Sequence, residues 1–420
     1  MIILPKFKFA LKSAISRSKI ETTVLGYFLF LEIFFFGGYY YSLRKGFDQE
    51  PLKPFLGIEK IEATESAQPK VAAAETDSDS QDKGEAPTSP PPSLRSGQAI
   101  PNTFPTWGTP NNKFGMYINA SPAQVGEVAP LLNSNGGAWG WVLLPMDVRQ
   151  RDASLWQSIF DACRAHRIKP LIQLFNNNTC NVDEMDFGGL ATFFNELSWP
   201  TKHLYISVFN EVNAKDYWCE KLAPEEYAVV LKTALDAFKS VNPNFFVMPA
   251  GLNSSCRSGP RYLDEEDFLV RMNQTVPGIF KKIDGWATHA YPQPEFSGDF
   301  YNPPSWYGVR DQIENYKWEM GLLQKHFGVS GLPIFITETG WAHAEGYLNK
   351  WQYKSSAVTA QYFDDGYRNH WLPNNQIVAI MPFVWYKSDA PNFNWKKDDG
   401  TFYPQYDVVI SFPKVAGTDD

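Results

Sequence analysis

Two apolar stretches end on glutamates that could do acid–base chemistry. HLYISVFNEVN, His203 to Asn213, is largely apolar until it stops on Asn210 and Glu211, and LPIFITETGW stops on Glu338 and Trp341. One carboxylate at the end of a buried strand is commonplace, because it caps the next helix or stays solvated. Two that face one cleft are what cleavage of a glycosidic bond requires. One protonates the leaving oxygen while the other attacks the anomeric carbon or activates water there. Their surroundings must then separate their pKa values, so that the protonated group is the acid and the ionised one the nucleophile. Asn210 would donate to a sugar hydroxyl. By themselves these residues do not say which glutamate does which task.

Such a pair needs a scaffold that aims both side chains at one place. Eight β-rich apolar runs are expected to be strands: 113–119, 138–146, 168–175, 203–210, 244–251, 283–291, 332–339 and 378–385. Between them lie segments with helical spacing, such as SLWQSIFDACRAHR and PEEYAVVLKTALDAFKSV. Strands buried on both faces and separated by helices signal a parallel sheet, and eight such units predict an α/β fold, a closed (β/α)8 TIM barrel over 107–420. An open doubly wound sheet fits less well, since no Gly-rich phosphate loop follows the first strand. Barrel sites sit at the C-terminal ends of strands. Glu211 ends the fourth strand and Glu338 the seventh, so both should face the mouth.

Other residues at these strand ends join them as candidates. His289 and Tyr291 follow strand six, Trp385 ends strand eight, Asn119 ends strand one, and Asn176 opens the FNNN run after strand three. Trp341, Trp218, Trp306 and Trp395 fall in expected loops on the same face, where an exposed indole would stack on a pyranose ring. Singly, each of these is more often packing than function; as a set around two glutamates they gain weight together. Asp147, directly after strand two, is read as a helix-proximal charge.

FNEVN on strand four with ITETGW on strand seven resembles the clan A glycoside hydrolases, the retaining 4/7-barrel superfamily, over about residues 107–410. That resemblance implies Glu211 as acid/base and Glu338 as nucleophile. HAYP, with His289 and Tyr291, is similar to the His-x-Tyr of cellulase-like family 5, in which the Tyr hydrogen-bonds the nucleophile. Trp385 matches the clan's aromatic platform at subsite -1. ETGW also resembles the β-1,3-glucanases of family 17. The strand-two Arg and strand-three His of many family 5 members are missing, and Asn176 to Asn178 stand where such a polar residue would be. The family within the clan therefore stays open. The expected activity is hydrolysis of a β-linked glucan or mannan, or transglycosylation if an acceptor sugar outcompetes water. A barrel that only binds glycans is the competing reading.

Composition bounds the rest. The chain has 420 residues, 44% hydrophobic and 15% aromatic, enough for a large core. A net charge of -8 argues against nucleic acid as a partner. The six His show no metal-binding spacing, and neither metal nor cofactor is expected. Before the barrel, residues 1–21 carry Lys6, Lys8, Lys12, Arg17 and Lys19, and 22–43 form an apolar run interrupted by Glu32 and closed by Tyr39 to Tyr41. This reads as an uncleaved transmembrane signal anchor with a cytoplasmic N-terminus and an extracytoplasmic bulk, at the cell surface or in a periplasm. Residues 44–106 read as a juxtamembrane segment and disordered linker rich in Ala, Glu, Ser and Pro. Outside the cytoplasm a disulfide is expected among Cys180, Cys219 and Cys256, as 180–219 or 219–256, with Cys163 a buried free thiol. Four sequons, at Asn119, Asn177, Asn253 and Asn273, are read as chance matches. Oligomeric state leaves no trace in the sequence.

Overall fold

The structure, a computed structural model, describes residues 110–176, 182–299, 307–346 and 352–420. The expected cytoplasmic segment, span and linker, 1–106, lie outside the described residues, as do Asn177, Cys180 and Trp306. Among the described residues no helix is long and apolar enough to cross a membrane.

Strand and helix alternate from start to end. The strands are β1 (Gly115–Tyr117), β2 (Gly140–Asp147), β3 (Ile168–Phe175), β4 (Leu204–Asn210), β5 (Phe245–Gly251), β6 (Trp286–Ala290), β7 (Ile334–Thr339) and β8 (Ile377–Pro382). The principal helices are α1 (Pro122–Leu132), α2 (Ala153–His166), α3 (Phe187–Glu196), α4 (Pro224–Val241), α5 (Glu265–Thr275), α6 (Tyr316–Phe327), α7 (Ser356–Asp365) and α8 (Pro404–Ser411). Local chemistry sets their ends. Asp152 accepts from Leu155 N–H to cap α2, and Arg167 ends it in a left-handed conformation. Pro224 starts α4 at a position where its missing N–H costs nothing.

All strand pairings are parallel, in a sheet ordered β1-β2-β3-β4-β5 and another ordered β6-β7-β8. Parallel bridges join the two at both edges, Phe114 to Ile380 and Asn253 to His289. The eight strands therefore follow one another round a ring, as in a (β/α)8 barrel. Gly115 permits the closure, because a Cβ there would press on Met381 Cγ at 2.8 Å and Ile380 O at 3.0 Å.

Period-two alternation divides the core into two layers. Trp141, Leu143, Tyr205 and Phe335 point into the ring, while Val142, Leu144, Leu204, Ile206, Ile334 and Ile336 point out towards the helices. Inside, Trp141 meets Tyr205 edge-on at 4.8 Å and Phe335 at 5.5 Å, so the ring is packed solid below its mouth. The last strand ends at Pro382, three residues before the expected end at 385, and that shift matters for Trp385.

Candidate active site

Strands β4 and β7 deliver the two glutamates. Glu211 directly follows β4, and its N–H bonds Gly251 O at 2.9 Å. Phe209 and Glu211 both adopt positive φ, 77° and 40°, a conformation that costs a non-glycine residue about 1–3 kcal/mol and is held only where surrounding contacts enforce it. Glu338 lies inside β7. Their side chains are 14% and 12% exposed.

Strand β6 supplies the groups that connect them. His289 Nδ1 is 3.0 Å from Glu211 Oε1 and 3.9 Å from Glu338 Oε2. Tyr291 donates its phenol to Glu338 Oε2 at 3.0 Å. Residues 289 and 291 thus reach the dyad because a period of two places both on the inner side. Gly251 makes room for the imidazole: a Cβ there would overlap its ring, 2.6 Å from Nε2.

These contacts set the charges. Burial raises the Glu338 carboxyl above its ordinary range, opposed by the His289 charge and the Tyr291 hydrogen bond and reinforced by the Glu211 charge. Burial alone would lower His289, yet the charges of Glu338 and Glu211 outweigh it and the imidazole is raised. The Tyr291 phenol is pushed well above its usual value by burial and by the two carboxylates, so it remains a donor. The Lys387 ammonium acts on Glu338 in the same sense as His289.

Asn210 is buried, and its Oδ1 accepts from Gln173 Nε2 at 2.8 Å. That bond commits the carbonyl and leaves the NH2 as the donor, the orientation a sugar hydroxyl would need. Asn176 is buried at the end of β3. Asn119 closes its own loop, taking Gln124 Oε1 on its N–H at 2.9 Å and reaching Tyr386 O at 3.4 Å. Asp147 engages Arg149 through both oxygens, a local turn contact.

The tryptophans require correction. Trp341, Trp385, Trp218 and Trp395 are all 2% exposed or less, so none offers an indole face to a sugar. Trp385 belongs to the outer layer, where its Nε1 donates to Glu127 Oε2 at 2.8 Å and its ring meets Phe402 and Tyr406. The aromatic ring in the inner cluster at the end of β8 is Phe383, which meets Tyr117 edge-on at 5.0 Å. Trp341 packs on Phe363 and Trp371 and donates to Gly298 O at 3.2 Å. Trp218 packs on Phe209 and Tyr227, and Trp395 on Phe363. The core between strands and helices extends under the loops of this face, and large apolar indoles fill it.

Several residues at the site had no signal in the sequence. Gln173 orients Asn210 from an adjacent strand, and its Oε1 is buried without a hydrogen-bond partner among the described residues. The half-buried Tyr217, on the turn after Glu211, is raised by burial and by the charges of Glu211 and Glu338, which places it by the dyad. Behind β6, Glu319 accepts from Trp286 Nε1 at 2.9 Å and Asn315 Nδ2 at 3.1 Å, and Asn315 also donates to His289 O at 3.0 Å. Burial pushes Glu319 up to about 7, and it raises the fully buried Glu265 well above the carboxylate range, with the charge of Glu319 adding to the effect.

Cys219 is disulfide-bonded, whereas Cys256 and Cys163 are free. The expected alternative 219–256 is therefore excluded. Among the described residues no group of His, Cys, Asp and Glu could hold a metal ion.

No family model and no curated protein matches the sequence. Solved structures do. A family 128 (subgroup II) endo-β-1,3-glucanase from Sorangium cellulosum is 15% identical over 71% of this chain and 98% of that one, at a TM-score of 0.46. A β-glucanase from Saccharophagus degradans, solved with cellotetraose, is 14% identical over 72% and 86%, at 0.45. A family 51 α-L-arabinofuranosidase from Bifidobacterium longum is 11% identical over 73% and 74%, at 0.47. These likenesses are to glycoside hydrolases and concern the fold alone.

Proposed function

We propose that this protein is a retaining glycoside hydrolase that cleaves a β-linked glycan by double displacement on a (β/α)8 barrel. One observation carries the reading. With His289 Nδ1 at 3.0 Å from Glu211 Oε1 and 3.9 Å from Glu338 Oε2, those two oxygens stand less than about 7 Å apart. That bound includes the separation of about 5–5.5 Å kept by retaining enzymes and overlaps only the lowest edge of the range of about 6.5–9.5 Å that inverting enzymes open to admit a water.

Glu338 is read as the nucleophile, because Tyr291, His289 and Lys387 all favour its ionised form against the burial that raises its carboxyl. In the first step a Glu338 oxygen bonds the anomeric carbon while Glu211 gives its proton to the departing glycosidic oxygen. In the second, Glu211 takes a proton from water, the water oxygen bonds the same carbon, and Glu338 leaves as carboxylate. Net configuration is retained. Asn210 would hold a hydroxyl of the reacting sugar through both steps.

The segment 22–43 and its basic flank support a membrane anchor, with the barrel outside the cytoplasm. A disulfide at Cys219 fits such a compartment.

Mass spectrometry of the full chain treated with a panel of 2-deoxy-2-fluoro glycosyl fluorides tests the reading. A covalent adduct on Glu338, absent from Glu338→Gln, is expected, and the sugar that labels is the one recognised at subsite -1. Glycan binding without any adduct would overturn the catalytic reading in favour of a binding barrel.

A further inference from the structure

Among the described residues the candidate indoles are buried, and a half-exposed aromatic surface against Tyr291 comes from elsewhere. Phe296, on the loop after β6, and Phe393, on the loop after β8, pack on the inner cluster while keeping part of each ring exposed. Their centroids are 5.6 Å apart with planes at 70°. Both touch Tyr291, at 5.0 Å and 6.1 Å, and Phe393 also meets Phe383 at 5.6 Å. Tyr291 is the residue bonded to Glu338, so this wall adjoins the dyad on its Glu338 side.

The chain directly after Glu338 holds both loops in place. Ala342 N–H bonds Phe296 O at 2.8 Å, and the Trp341 indole bonds Gly298 O at 3.2 Å. His343 N–H bonds Asn392 O at 2.8 Å, and Asn392 Nδ2 returns a bond to His343 O at 2.7 Å. Glu295 and Phe296 sit at φ 55° and 57°, two consecutive strained non-glycine residues. Backbone strain of about 1–3 kcal/mol each persists only where neighbouring contacts over-determine it, and it collects at ligand clamps. Here it fixes an apolar ring beside the dyad, where a pyranose offers an apolar face of similar size.

We propose that Phe296 and Phe393 form a platform for a second glycone sugar, the one joined to the sugar that Glu338 attacks. The proposal rests on the glycosidase reading for its placement, and it deepens that reading by making the substrate an extended chain rather than a single sugar on an aglycone. The wall lies on the side of the nucleophile, so it holds the glycone and not the leaving group. Removing one ring should then weaken recognition of the second sugar more than that of the first.

The test uses the full chain and its Phe296→Ala, Phe393→Ala and Phe393→Trp variants. Chloronitrophenyl β-glycosides with one, two and three glycone sugars are compared, in β-1,3-gluco, β-1,4-gluco and β-1,4-manno series. The parent should gain in kcat/KM from one glycone sugar to two. Each Ala variant should lose about tenfold of that gain, read as the two-sugar to one-sugar ratio of kcat/KM within the same variant, and Phe393→Trp should keep the parent's ratio. Calorimetric binding of the matching hexasaccharides to Glu338→Gln, with and without the Phe substitutions, gives a readout independent of turnover. An unchanged chain-length gain and unchanged hexasaccharide affinity in both Ala variants would overturn the platform. If the parent neither turns over nor becomes labelled, the glycosidase reading fails, and the affinities alone decide the platform: a tenfold loss supports it, and no loss or no binding at all overturns it.

Discussion

Tyr291 donates its phenolic hydrogen to Glu338 Oε2 across 3.0 Å, and the phenol is itself held far from ionisation by burial and by the carboxylates around it. A donor that cannot deprotonate favours the carboxylate form of Glu338 against the burial that raises it. Tyr291→Phe should therefore raise the Glu338 pKa further. The acid limb of the kcat/KM profile should move to higher pH, and the maximum should fall about 10- to 100-fold, the worth of a hydrogen bond to a charged group. A pH–rate series on parent and variant checks this. An unmoved acid limb would mean that Tyr291 only packs.

Gly251 permits His289 to stand between the glutamates. A methyl group at 251 would overlap the imidazole, with backbone and sheet behind it leaving the ring to give way. Gly251→Ala should lower kcat/KM by at least about 100-fold, because a displacement near 1 Å in a catalytic array carries that cost. Thermal unfolding, followed with the kinetics, should show a loss of only a few degrees. A collapse of Tm instead would assign the glycine to strand packing.

Trp385 separates the two layers of the barrel functionally. It is buried against Phe402 and Tyr406 and satisfies Glu127, so Trp385→Phe should cost about 1–3 kcal/mol of stability. Its KM for any oligosaccharide should match that of the parent, whereas Phe383→Ala should raise KM. Denaturant unfolding and steady-state kinetics on the two variants give opposite patterns if the layers are assigned correctly.

Glu319 makes stability depend on pH near neutrality. Its carboxyl is raised from an ordinary 4.5 to about 7, chiefly by burial, so the folded protein keeps a proton that the unfolded chain releases over that interval. Where the folded state binds more protons, stability falls as pH rises; this contribution is present below about 4.5 and is lost through about 7. Glu319→Gln carries no such titration. Its Tm relative to the parent should climb across that window and be flat on either side, as differential scanning fluorimetry at a series of pH values would show. A constant difference would place the titration elsewhere.

The sequence by itself determined the alternation of strands and helices and the identity of the paired glutamates. Eight runs matched eight strands within a few residues at either end, because strands buried on both faces leave a continuous apolar signal and caps such as Asp152 and Pro224 mark where helices begin. Glu211 and Glu338 were legible for the same reason: a carboxylate ending an apolar run is conspicuous. His289 and Tyr291 stood out through the resemblance of HAYP to the His-x-Tyr of cellulase-like family 5, and the two-residue period of β6 accounts for both facing the dyad.

What the sequence left undecided was direction and depth. An indole in a loop reads the same whether it faces a sugar or fills the core, and only the packed structure shows Trp341 holding Gly298 and Trp385 lying outside the ring. The end of β8 came three residues earlier than its apolar run, which put Phe383 rather than Trp385 in the inner layer. Gln173, Tyr217, Phe296 and Phe393 come from four different strand or loop segments, and nothing local sets them apart from ordinary residues. They become a site only when closure of the ring brings the ends of distant strands within a few ångströms, since side-chain contact between segments far apart in sequence is a property of the tertiary structure alone.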